Sequence, residues 1–264
     1  MMVHDNPGAA APQYPDLRDQ PVLVTGGAAG IGAAICEAFL RQGAEVISLD
    51  RDQDAQRRLE QRALSSPGRL HGFSVDLCDS AALVATLERV RETFPRLRTV
   101  IANAGYDPRH DGLSLSEAEW NGLFQLNVTH YFITCRELMP QLIRNGGGSV
   151  ILTASHTAWL AKPDLIAYNS TKAAIIGLCR SLAEAYGRHG IRVNAVAPGW
   201  TMTERQLRQW VTPAALEDTV QRQQALPIEI TPAAVAELYL FLASEASKLL
   251  TRQVLIADAG QTKI

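Results

Sequence analysis

The sequence predicts an α/β protein built on one doubly wound parallel sheet with helices on both faces. Three observations predict it. A short apolar run, Val22 to Val24, breaks into a glycine-rich turn at Gly26, Gly27, Gly30 and Gly32. Helical spacing follows (Ile31, Ile35, Ala38, Phe39), and a second apolar strand closes at Asp50, which completes a strand–helix–strand unit. Short apolar runs and helical stretches then alternate to the C-terminus, the pattern of a parallel sheet covered on both sides. Finally, 264 residues with 47% hydrophobic and 20% charged side chains can bury such a core in a single domain, and no linker or internal repeat divides the chain.

The first unit also predicts chemistry. Glycines at the turn let the backbone approach a pyrophosphate, and the helix N-terminus offers it free N–H groups and positive dipole. Asp50, ending the second strand, is placed to accept hydrogen bonds from an adenosine ribose. The spacing is Gly-x-x-x-Gly-x-Gly (Gly26, Gly30, Gly32), and the strand before, helix after and acid further on make the context Rossmann-like.

Beyond Asp50, the polar stretch Arg51 to Arg69 reads as an exposed helix and His71 to Asp76 as a third strand. Asp79 and Ser80 can cap a helix over Ala81 to Phe94. Leu97 to Ala102 is a buried strand, and Asn103-Ala104-Gly105 permits a tight turn beside a ligand. Ser116 and Glu119 form a capping box opening one long helix through Arg144, before a fifth strand from Val150 to Thr153. Ser155 stands at that strand's end, and a helix from about Asp164 to Arg188 carries Tyr168 and Lys172. Ile191 to Val196 is a sixth strand, stopped by Pro198-Gly199. Residues 200–230, with Trp200, Trp210, Pro213 and Pro227, read as a partly helical insertion. Thr231-Pro232 opens a helix through Ser244, and Gln253 to Ala257 is the last strand.

Composition excludes several classes. A net charge of −2 points to no nucleic-acid or anionic-membrane partner, and no apolar run is long enough to span a bilayer. Cys36, Cys78, Cys135 and Cys179 lie far apart, as reduced thiols of a cytoplasmic protein would, and the six histidines show no metal-ligand spacing. Residues 1–18 read as a flexible N-terminal arm and residues 19–264 as one dinucleotide-binding catalytic domain.

Tyr168 and Lys172, four apart on a helix, share a face and can meet. A neighbouring ammonium and a nicotinamide cation favour the phenolate, so Tyr168 can exchange a proton with a hydroxyl or carbonyl near neutral pH. Ser155 can hydrogen-bond the same oxygen as charge develops there.

On these motifs the chain, from about Pro21 to Gly260, resembles the short-chain dehydrogenase/reductase family in its compact single-domain branch. Thr25-Gly26-Gly27-Ala28-Ala29-Gly30-Ile31-Gly32 resembles the family's glycine motif, Asn103-Ala104-Gly105 its N-A-G, and Tyr168-Asn169-Ser170-Thr171-Lys172 its Y-x-x-x-K. Pro198-Gly199 with Thr201 and Thr203 is similar to the segment that holds the nicotinamide carboxamide. The resemblance implies a catalytic tetrad of Asn127, Ser155, Tyr168 and Lys172, with Asn127's helix backbone holding a water that links Lys172 to solvent. It implies cofactor contacts from Gly26, Gly30, Ile31, Gly32, Asp50, Arg51, Asp76, Leu77, Asn103, Ala104 and Gly105. Two departures, Arg252 where the family often has glycine and Ala259 in a usually double-glycine turn, are remote from the tetrad.

Asp50 repels a 2′-phosphate and Ala29 replaces the basic residue common in NADP-binding members, which favours NAD; Arg51 beside Asp50 argues the other way. The segment from Gly199 to Pro213 resembles the lid of members that oxidise free aldoses at the anomeric carbon. A lid at about 200–230 is therefore expected, with His156, Asn169, Trp200 and Arg205 as substrate contacts and a pentose or 6-deoxyhexose as substrate. The alternatives are another secondary alcohol or ketone, such as a 3-oxoacyl or cyclic substrate, and a non-catalytic NAD-binding regulator. A homotetramer is expected, with Leu123, Phe124, Ile175, Ile176 and Leu178 packing between subunits.

Overall fold

The computed structural model describes residues 12–263. Seven parallel strands form one sheet in the order β3-β2-β1-β4-β5-β6-β7. They are β1 (Pro21–Thr25), β2 (Glu45–Asp50), β3 (Arg69–Ser74), β4 (Thr99–Ala102), β5 (Gly148–Thr153), β6 (Ile191–Pro198) and β7 (Val254–Ala257). The α-helices of the described residues run from α1 (Gly30–Arg41) and α2 (Gln53–Ala63) through the short α6 (Thr157–Leu160) and α9 (Pro213–Asp218) to α10 (Pro232–Ala243). The chain steps outward from β1 to β3, then returns to the other side of β1 with β4. A crevice opens at that reversal, outside the carboxyl ends of the strands.

Alternation along the strands divides the core in two. Leu23, Val100, Leu152 and Val193 point to the face covered by α3 (Ser80–Thr93), α5 (His130–Arg144) and α7 (Ile166–Tyr186). Val22, Val24, Ile101 and Ile151 point to the face covered by α1 (Gly30–Arg41) and α10 (Pro232–Ala243), against Ile35, Phe39 and Tyr239. Local signals set the helix starts: the Ser116–Glu119 capping box opens α4 (Glu117–Phe124), Asp79 caps α3 and Thr231 caps α10 ahead of Pro232.

Several expectations are corrected. The long helix expected from Ser116 through Arg144 is continuous, but it holds a π-helical segment, Gln125–Thr129, between α4 and α5, where Asn127's amide bonds the chain at Tyr106. Of the arm expected over residues 1–18, residues 1–11 lie outside the described residues. The rest is docked: Leu17 is buried, Gln42 bonds Pro12 and Tyr14, and Asp16 caps Glu245. Leu123, Ile175 and Ile176, expected between subunits, are buried inside the chain, Ile175 and Ile176 in the core beneath α7, whereas Phe124 and Leu178 stay partly exposed. Arg252 and Ala259 adopt positive φ, +65° and +55°, so both departures from glycine fall where a side chain is disfavoured. Among the described residues, no helix is long and apolar enough to cross a membrane.

Candidate active site

The glycine turn after β1 is closely fitted. Gly26 has φ +64°, and a Cβ there would stand 2.8 Å from the Ala104 Cα; one on Gly32 would stand 1.8 Å from the Gly26 carbonyl oxygen. No side chain caps α1 at Ala29, so the first-turn N–H groups, which have no intrahelical partner, are free for an anion. Asn103 staples this turn to β4, donating from Nδ2 to the Thr25 and Gly26 carbonyls at 3.3 Å and from its N–H to Thr25 Oγ1 at 2.9 Å.

Asp50 is held at the crevice edge by N–H donors from Ala28 (3.1 Å) and Asp52 (3.0 Å). Arg51 leans away toward Asp76, 3.6 Å distant. Asp76, Leu77, Ile31 and Gly30 line the same cleft. At its other end Pro198 closes β6 and Gly199, Thr201 and Thr203 follow it; Thr203 Oγ1 caps α8 (Glu204–Gln209) and accepts from the Gln206 N–H. Uncapped N–H groups, side-chain-free glycines and a ribose-facing acid suit a dinucleotide.

Ser155, Tyr168 and Lys172 meet on the cleft floor, together with Ala104 and Gly105. Lys172 Nζ donates to the Thr153 carbonyl at 2.8 Å and lies 3.5 Å from Tyr131 Oη and 5.6 Å from the Tyr168 ring centroid. Gly105 makes room for it, since a Cβ there would stand 3.2 Å from that ammonium. Asn127 is fully buried and clamps Tyr106 reciprocally: Nδ2 donates to the Tyr106 carbonyl (3.0 Å), and Oδ1 accepts from the Tyr106 N–H (2.8 Å). That clamp coincides with the π-helical turn, a distortion frequent at functional sites.

The protonation pattern differs from the sequence expectation. Burial raises the Tyr168 pKa and the Asp107 carboxylate adds to it, while the Ser155 hydrogen bond and Arg205 oppose them. Burial also pushes Lys172 down to about 8. In the chain itself desolvation and the Asp107 charge therefore outweigh the Ser155 hydrogen bond and Arg205.

Of the expected substrate residues, His156, Trp200 and Arg205 line the cleft, whereas Asn169 does not; its Nδ2 is spent on the Lys162 carbonyl at 2.8 Å. His156 is buried and held neutral, its pKa pushed down to about 4 by burial and then by Lys162. Trp200 Nε1 donates to Gln206 Oε1 at 3.0 Å, and Arg205 pairs with Asp107. Sequence reasoning missed Asp107, Arg109 and Lys162, all cleft-lining. Asp107, four residues past Asn103, was the one with a signal, an acid just beyond a motif.

A crevice at the sheet's switch point, a glycine cradle and a cleft-facing Tyr168 beside a buried Lys172 together define an oxidoreductase that works with a nicotinamide dinucleotide. Residues 26–262 match the family model described as enoyl-(acyl carrier protein) reductase, and the chain belongs to the short-chain dehydrogenase/reductase family. It is 37% identical to a probable galactose dehydrogenase of Rhizobium meliloti, over 94% of this chain and 97% of that one. It is 36% identical to the D-xylose 1-dehydrogenase of Caulobacter vibrioides, with the same coverage. A 3-oxoacyl-[acyl-carrier protein] reductase structure from Brucella melitensis superposes with TM-score 0.88 at 30% identity, covering 98% of this chain and 99% of that one. A 3-oxoacyl (acyl-carrier-protein) reductase from Agrobacterium tumefaciens with NADP bound gives 0.86 at 26% identity, covering 92% and 95%.

Proposed function

We propose that the chain is an NAD-dependent dehydrogenase that oxidises a free aldose at its anomeric carbon to the lactone. The observation that carries this reading is the convergence of Ser155, Tyr168 and Lys172 on the cleft floor, facing a polar wall of Asp107, Trp200 and Gln206. Such a wall suits a polyhydroxylated ring, with tryptophan against its face and amide and carboxylate at its hydroxyls. The two sugar dehydrogenases among the relatives support the same substrate class.

Tyr168 Oη accepts the proton of the anomeric hydroxyl as general base, and Ser155 Oγ bonds that oxygen as the carbonyl forms. The Lys172 ammonium, near the Tyr168 ring, stabilises the phenolate and keeps the proton moving outward. Asn127 positions the loop carrying Tyr106 beside them. The bound nicotinamide supplies the acceptor for the hydride and its two electrons. Gly26, Gly30 and Ile31 line the cleft with Gly32 behind them and would hold the pyrophosphate, Asp50 would hold the ribose, and Asp76 and Leu77 would border the adenine. Pro198, Gly199, Thr201 and Thr203, at the other end of the cleft, would hold the nicotinamide.

NAD rather than NADP is supported by the Asp50 carboxylate and by the diversion of Arg51 to Asp76. A lid over residues 200–230, a homotetramer and a cytoplasmic location belong to the same proposal. A second reading, a 3-oxoacyl reductase using NADP, is favoured by the acyl-carrier reductases among the similar structures. Assay with NAD and NADP against pentoses, hexoses and deoxyhexoses decides between them. A lactone with stoichiometric NADH is expected; reduction of a 3-oxoacyl thioester with no aldose oxidised overturns the proposal.

A further inference from the structure

At the substrate end of the cleft each arginine has its own acid. Arg205 pairs with Asp107, Arg109 with Asp164 at 3.2 Å, and Arg208 with Glu204 at 3.1 Å. Lys162 lines the same cleft and makes no ion pair among the described residues. It is not a free surface lysine. It is half-buried, its Nζ lies 5.8 Å from the Trp200 ring centroid, and its backbone is fixed by Asn169 at the carbonyl and by the Pro163–Leu165 turn that follows. Arg109 adds a like charge nearby, and the close acid, Asp164, is already spent on Arg109. Next to it, His156 leaves a buried Nδ1 without a hydrogen-bond partner.

Folding therefore partly desolvates a cation and leaves it only the Trp200 ring and an acid, Asp164, that is already paired with Arg109, an arrangement that holds an incompletely matched positive charge at the cleft. The arrangement becomes favourable when a ligand brings the missing negative charge. Building on the anomeric-oxidation reading, we propose that Lys162 receives a carboxylate at the far end of the substrate, which makes the preferred aldose a uronic acid oxidised at C1. This replaces the neutral pentose or 6-deoxyhexose expected from the lid with an acidic sugar of the same aldose class. The anion is a carboxylate rather than a phosphate because Lys162 is a single compact charge. Arg109, whose fork would be needed for a dianion, is occupied.

Binding in the NADH complex reads the site without turnover. Calorimetric titrations compare galacturonate, galactose and galactose 6-phosphate on the wild type, Lys162→Met and Lys162→Arg. Galacturonate should bind the wild type at least about tenfold more tightly than galactose. Lys162→Met should abolish that advantage and Lys162→Arg should keep it. Equal binding of the two sugars, tighter binding of the 6-phosphate, or an advantage that survives in Lys162→Met overturns the proposal. Oxidation of neutral aldoses without any uronate preference removes the carboxylate site and leaves the sugar reading standing. Absence of NADH from every aldose removes the sugar reading, while the binding ratio still decides the carboxylate site.

Discussion

Asp107, in the loop after β4, takes two side chains from across the cleft: it pairs with Arg205 and accepts from Gln206 Nε2 at 2.9 Å. Gln206 in turn holds Trp200 Nε1, so one carboxylate ties the segment after β6 over the cleft floor. The same charge lies close enough to Tyr168 to disfavour its phenolate, second only to burial. Asp107→Asn keeps an acceptor for Gln206 but removes the charge. The apparent pKa governing oxidation should fall, and KM should rise as the segment loosens. A pH–kcat profile with an unchanged or raised pKa would refute the coupling.

Tyr168→Phe keeps the ring and removes the proton acceptor. Oxidation should drop by ~10²–10⁴ in kcat, while cofactor binding, measured by fluorescence quenching, stays near wild type. Full activity in this variant would eliminate the proposed chemistry.

Asp50 has two tasks, since it also accepts from the Ala28 and Asp52 N–H groups. Asp50→Asn preserves an acceptor and removes the repulsion of a 2′-phosphate. The NADP-to-NAD ratio of kcat/KM should rise about tenfold, the equivalent of ~1.4 kcal/mol. A wild type that already prefers NADP would contradict the NAD assignment.

Ala259 sits at φ +55° while its carbonyl accepts the N–H groups of Ala225 and Leu226. Glycine adopts this conformation without a Cβ clash, a relief of roughly 1 kcal/mol. Ala259→Gly should therefore raise the denaturant midpoint, with activity retained. Chemical denaturation of both proteins measures it.

Acid should destabilise the fold through two histidines. Burial pushes His130 down to about 3 and His156 down to about 4, so both are neutral when folded. The unfolded chain takes up these protons near ~6.5. Between that value and about 4 it binds more protons than the folded chain, so stability falls as pH drops. His130→Gln, which does not titrate, should lose less stability than wild type between pH 7 and pH 5, measured by urea melts at the two values.

The sequence by itself determined the order of strands and helices, the glycine cradle and the Ser–Tyr–Lys set. These signals are local: apolar periodicity reads burial, a Ser116–Glu119 box starts a helix within one turn, and Gly26 to Gly32 form a single loop. Only the tertiary structure decided what depends on pairs distant in the chain. Asn127 reaches Tyr106, 21 residues away, and the helix around it is π-helical at that point. Asp107 meets Arg205 98 residues on, and that contact shapes both the cleft wall and the charge felt by Tyr168. Burial raises the Tyr168 pKa where its spacing from Lys172 implied a lowering, because desolvation is set by everything packed around a side chain. The unmatched charge of Lys162 is of the same kind. A lysine's partners are fixed by where other loops bring their carboxylates, and here they bring Asp164 to Arg109 instead.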